Sequence, residues 1–111
     1  MSPTTVIVQF EVPKGLEAEA LQMWDRYAEY FRKQPGFISA RLHEAVDIDA
    51  RFRLINVALW QNSECFDTAC RNPEFAQVRR DEVDRKFQCF FARYEVVRII
   101  ENDLLSEIPP T

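Results

Sequence analysis

The sequence predicts an α+β domain with the element order β-α-β-β-α-β, and three observations carry that expectation. β-Branched, alternating stretches flank two amphipathic helical stretches. Turn signals fall between them, at Pro13-Lys14-Gly15, Pro35-Gly36, Asp47-Ile48-Asp49-Ala50-Arg51 and Asn72-Pro73. The chain has 111 residues and a mass of 13.1 kDa, which is room for one core. A folded monomer of this mass exposes roughly 6,400 Å² of the roughly 19,000 Å² of its extended chain. With 47% hydrophobic and 13% aromatic residues, it can fill a modest core.

Each element follows from local pattern. Val6 to Val12 alternates and reads as a strand. From Leu16 to Lys33 the apolar residues Leu16, Ala20, Met23, Trp24, Tyr27, Ala28 and Phe31 trace one helical stripe. Glu17 and Glu19 in the first turn and Arg32 and Lys33 in the last suit the helix dipole. Phe37 to Val46 and Phe52 to Gln61 read as strands two and three, joined by a short hairpin loop. Asn62 or Ser63 caps a helix over Glu64 to Cys70, and Asn72-Pro73 restarts helix as far as about Asp84. Cys89 to Ile100 reads as strand four. Residues 1–100 form the domain and 101–111 a tail.

This is the ferredoxin-like arrangement, a four-stranded antiparallel sheet with both helices on one face. The third strand complicates that picture. Phe52, Leu54, Asn56, Ala58 and Trp60 alternate with Arg53, Ile55, Val57, Leu59 and Gln61, and both sets are apolar between their ends. Strands one and four show the same. Two helices cover one face, so the other calls for a partner. A homodimer is the expected partner, with a fold-back of Leu104, Leu105 and Ile108 as the alternative.

Several function classes are excluded. The net charge is −4, without the basic excess of a nucleic-acid binder. Gly15 and Gly36 are the two glycines, too few for a dinucleotide fingerprint and wrongly placed for a phosphate loop. A lone histidine, His43, makes no multi-histidine metal site, and no apolar run approaches the roughly 20 residues of a membrane span. Met1 to Thr5 lacks the features of a signal peptide, and Cys65, Cys70 and Cys89 form no CxxC pair. The expectation is a cytoplasmic protein with reduced thiols, no metal, no membrane and no nucleic-acid partner.

Asn56 is the most informative residue. A buried amide without partners costs about 1–3 kcal/mol, so it either meets backbone groups or faces a ligand cavity. Trp60 shares its face about 13 Å further along the strand, as a core residue or a pocket wall. Arg79 and Arg80 sit mid-helix, on a solvated face or turned inward toward an oxyanion. His43 is a rim residue or, as a neutral imidazole, a general base. Gln9 is the polar break in strand one. Trp24, Tyr27 and Phe66 complete a set able to contact an aromatic ligand.

Three segments carry a family resemblance: Val12-Pro13-Lys14-Gly15, Gln34-Pro35-Gly36-Phe37-Ile38-Ser39, and Asn56-Val57-Ala58-Leu59-Trp60-Gln61-Asn62-Ser63-Glu64-Cys65-Phe66, followed by Asn72-Pro73-Glu74-Phe75. The chain resembles the antibiotic biosynthesis monooxygenase (ABM) domain over roughly residues 5–100. The resemblance implies a dimeric α+β barrel with a pocket between sheet and helices. It implies oxygenation of an anthrone- or quinol-like aromatic with O₂ and no cofactor, with a non-catalytic binding or stress module as the alternative. Asn56 and Trp60 match the pocket Asn and Trp of the polyketide oxygenases, and Arg80, with Arg79 beside it, matches their helix-two Arg. Phe66 stands near where those enzymes place a Tyr. The haem-degrading branch is not matched, because Val8, Ala69 and Arg79 stand at its Asn, Trp and His positions.

Overall fold

The computed structural model describes residues 2–104. Eight elements follow in order: β1 (Thr4–Glu11), α1 (Glu17–Phe31), β2 (Phe37–Glu44), β3 (Leu54–Trp60), α2 (Ser63–Arg71), α3 (Phe75–Val78), α4 (Asp81–Asp84) and β4 (Gln88–Tyr94). The strands form one antiparallel sheet in the order β2-β3-β1-β4, the ferredoxin-like layout, with the helices on one face.

The turns form where the sequence places them. Gly36 has φ +87°, and a Cβ there would lie 2.4 Å from Cys65 Sγ. The Pro35-Gly36 turn therefore needs glycine twice over, for its left-handed backbone and for its close approach to α2. The Gly36 carbonyl accepts from the Gln61 amide at 2.8 Å, which ties the start of β2 to the end of β3. Asn62 is the α2 cap, its Oδ1 accepting from the Cys65 amide at 2.9 Å.

Two expectations need correction. The helix expected from Asn72-Pro73 to Asp84 is two single turns, α3 and α4, and Arg79 lies in the break with extended backbone (φ −71°, ψ 139°). Arg79 and Arg80 are thus not mid-helix. Asn72 does bond the Glu74 amide, but as a local turn rather than as the cap of a continuing helix. Strand four stops at Tyr94 rather than Ile100, because its ladder partner β1 runs out at Thr5. Beyond it Val96, Val97, Ile99 and Ile100 are 69–97% exposed. The radius of gyration is 15.6 Å against about 13 Å for a compact chain of this length. Leu105 and Ile108 of the expected fold-back lie outside the described residues.

The buried residues form two clusters rather than one. Val6, Ala58, Trp60, Phe66 and Ala69 pack beneath α2. Phe10, Ala20, Met23, Leu54 and Phe87 pack beneath α1. Val8 touches both clusters and pairs with Asn56, so the Val8–Asn56 row of the sheet lies between them.

Candidate functional site

That middle row is the floor of a cavity of about 680 Å³, within the usual range for small-molecule sites. Its floor is Val6, Val8, Phe10, Asn56, Ala58 and Trp60 from β1 and β3. Its wall is Met23, Trp24, Tyr27 and Phe31 from α1, at the three- and four-residue spacing of one helix face. α3 closes the far side through Phe75, whose ring lies 5.3–5.9 Å from those of Tyr27, Tyr30 and Phe31. Phe91 of β4 and the exposed guanidinium of Arg79 stand at the mouth.

The polar groups are few and directed. Trp24 Nε1–H donates to Asn56 Oδ1 at 3.0 Å. An indole nitrogen is a donor only, so this bond fixes the amide's orientation and leaves its N–H groups for the cavity. Asp84 is the second polar centre. It accepts from Tyr27 Oη, from Arg26 at 2.5 Å and from the Arg80 amide at 3.0 Å. Burial works to raise its carboxyl, but these donors outweigh it and hold Asp84 below the usual carboxylate range. Tyr27 moves the other way: burial, then the Asp84 hydrogen bond and charge, push its phenol well above its ordinary value. Arg26 also donates to the Val78 carbonyl at 2.8 Å, so Asp84 and Arg26 together fasten α3 and α4 to α1.

The cavity brings together Asn56, Trp60, Trp24, Tyr27, Phe66 and Arg79. Trp60 is 1% exposed and meets Phe31, Phe37 and Phe66 edge to face, so it is as much a packing anchor as a wall. Three candidates are elsewhere. Gln9 pairs with Ile55, and His43 pairs with Ile55 from the other side, so both project from the sheet face opposite Asn56. Arg80 lies in an outer groove with Arg26, Glu29 and Glu74. Asp84 is the cavity residue that sequence reasoning missed. It sits in the charged run Asp81 to Lys86, where nothing local distinguishes it from a solvated acid. Cys70 and Cys89 also line the cavity, and burial pushes both thiols up.

Among the described residues no group of three or more His, Cys, Asp or Glu is placed to hold a metal ion, and no helix is long and apolar enough to cross a membrane. No curated protein sequence matches the chain significantly. Solved structures do. One from Shewanella loihica PV-4, provisionally described as a monooxygenase, is 33% identical, with a TM-score of 0.73 over 88% of this chain and 97% of that one. SnoaB, a cofactor-independent oxygenase from Streptomyces nogalater, is 22% identical, with a TM-score of 0.75 over 92% of this chain and all of SnoaB. A dimeric ferredoxin-like protein of unknown function from Jannaschia sp. CCS1 shares the fold at 12% identity and a TM-score of 0.69, over 86% of this chain and 100% of that one. The family model for antibiotic biosynthesis monooxygenases matches residues 3–81, a span from β1 to the start of α4 that includes Asn56, Trp60 and Arg79. The chain belongs to the antibiotic biosynthesis monooxygenase family.

Proposed function

We propose that this protein is a cofactor-independent monooxygenase that oxidises a small aromatic, anthrone- or quinol-like substrate with O₂. The observation that carries this reading is Asn56, an amide locked by Trp24 so that its N–H groups face a largely apolar cavity. Such a donor stabilises an oxyanion where water is scarce. The substrate gives a proton to water at the mouth, which the peroxide formed later takes back, and becomes an electron-rich anion, with Asn56 donating to its oxygen and Arg79 offsetting charge at the mouth. The anion passes an electron to O₂, and the two radicals combine through a new C–O bond. Loss of water from the resulting hydroperoxide leaves the quinone. For an anthrone the balance is anthrone plus O₂ to anthraquinone plus water.

The working unit is a homodimer on this reading. On the face away from the helices, Leu59, Thr5 and Tyr94, then Val57, Ile7 and Ala92, then Ile55, Gln9 and Phe90 form three successive rows across β3, β1 and β4. Tyr94 and Phe90 are 50% and 44% exposed. A second copy of the same sheet is the simplest cover for such a surface.

A second reading, a non-catalytic dimeric binding module, is favoured by the placement of His43 away from Asn56, which leaves the cavity without an imidazole base. Oxygen uptake with an anthrone and a hydroquinone separates the two. The monooxygenase consumes O₂ in step with product, and Asn56→Ala lowers the rate by about 10²–10³. Silence on both substrates, or equal rates in wild type and variant, overturns the enzyme reading. Product without O₂ consumption indicates an isomerase or cyclase on the same scaffold.

A further inference from the structure

The two polar centres of the cavity differ in hydrogen-bonding sense. At Asn56 the oxygen is engaged by Trp24, so the cavity sees donors. At Tyr27 the hydroxyl proton is engaged by Asp84, so the cavity sees the phenolic oxygen as an acceptor. This second assignment depends on Asp84 being ionised. Arg26 and the Arg80 amide hold it so, and its carboxyl stays below the ordinary range. Trp24 and Tyr27 are one turn apart on α1, which puts the two centres on the same wall, with side-chain roots about 5–6 Å apart.

We infer that the cavity is polarised, and that it selects a flat aromatic ligand carrying both an acceptor oxygen, which meets Asn56, and a free hydroxyl, which donates to Tyr27. Asp84 is the positioning residue: it lines the cavity beside Tyr27, but both its oxygens are engaged by Arg26, Tyr27 and the Arg80 amide, and its part is to set which way the Tyr27 hydroxyl points. The selection follows from the cost of mismatch. A methoxy group in place of the hydroxyl brings an oxygen lone pair against another, with no proton between them, and leaves the half-buried Tyr27 acceptor unpaired. The inference rests on reading this cavity as the ligand site, but not on the oxidation itself.

Binding tests it without turnover. The probes are 2-hydroxyanthraquinone, 2-methoxyanthraquinone and anthraquinone, titrated against tryptophan fluorescence at a pH where the hydroxyl of the first is un-ionised. The hydroxy probe is expected to bind about tenfold more tightly than the methoxy probe, the worth of one buried hydrogen bond. In Tyr27→Phe that preference falls to within about twofold, while anthraquinone binds as before. Tyr27→Phe keeps the ring beside Phe75 and leaves Asp84 its bonds from Arg26 and Arg80, so the fold is expected to survive, which circular dichroism checks. Asp84→Asn frees the Tyr27 proton to turn toward the ligand, and the preference for hydroxy over methoxy shrinks there too. Equal or reversed affinities in the wild type, a preference that survives in Tyr27→Phe, or no binding of the hydroxy probe up to its solubility limit overturns the inference. An oxygen electrode silent on every substrate removes the oxygenase reading and leaves this one standing.

Discussion

The two faces of the sheet are built from alternate residues of the same strands, yet they solve different problems. On the helix face, the Val6–Ala58 and Phe10–Leu54 rows are buried under α2 and α1, and the Val8–Asn56 row between them is held open as a cavity. On the opposite face, the rows through Thr5, Ile7 and Gln9 are equally rich in apolar side chains, but nothing among the described residues covers them. Hydrophobicity alone therefore does not distinguish a face that holds a cavity from one that stands open. The difference lies in the Val8–Asn56 row of the first, where Trp24 fixes the amide and a cavity stands open above it.

Neighbouring residues on β3 give the sharpest break of that comparison. Trp60→Ala removes a side chain that packs against the rings of Phe31, Phe37 and Phe66 and is expected to cost about 3–5 kcal/mol in urea unfolding. Leu59→Ala, one residue away and facing outward, should cost far less at low protein concentration, where any dimer dissociates, and more at high concentration. Equal, concentration-independent costs would mean that the open face has no partner.

Charge on the outer grid comes next. Val57→Arg places a cation opposite Ile7 on an apolar surface. Sedimentation is expected to show a shift from about twice the chain mass to the chain mass alone, without loss of the monomer fold. Gly36→Ala probes where the helix layer meets the sheet. Its positive φ and its contact with Cys65 predict a loss of about 1–3 kcal/mol, read as a lower thermal midpoint.

A smaller effect concerns acid. Asp84 is ionised in the native state with its carboxyl depressed from an ordinary 3.8. Its contribution to stability is therefore present above the unfolded value and is lost as pH falls through the lower folded one. Asp84→Asn should flatten that part of the acid limb in urea titrations. An unchanged limb would remove Asp84 as the fastening between α4 and α1. The smallest expected effect is none: His43→Gln should leave oxygen uptake or ligand binding unchanged, because His43 belongs to the other face. A loss of activity there would show that the outer face takes part in the chemistry.

Much of this was legible in the chain itself. The element order, the Pro35-Gly36 turn, the cap at Asn62 or Ser63 and the α1 stripe all depend on residues within a turn or two of one another. The common face of Asn56 and Trp60 is equally local, since a strand alternates with period two whatever surrounds it. The break at Arg79 was not legible. Val78, Arg79, Arg80 and Val83 are compatible with continuous helix, and what parts them is a set of contacts from α1: Arg26 on the Val78 carbonyl and on Asp84, and Tyr27 on Asp84.

The sequence by itself determined which residues within each strand point the same way, and that a monomer of this length would leave an apolar face. Only the tertiary structure decided which strand faces agree with one another. Placing Leu42 rather than His43 opposite Asn56 depends on the β2–β3 register and on the irregularity between Phe37 and Ser39. A shift of one residue there would bring the imidazole to the helix face, beside Asn56. Registers are set by pairing between distant segments, as is the convergence of Tyr27, Arg26 and Asp84, 57 and 58 residues apart. Local periodicity carries no record of either.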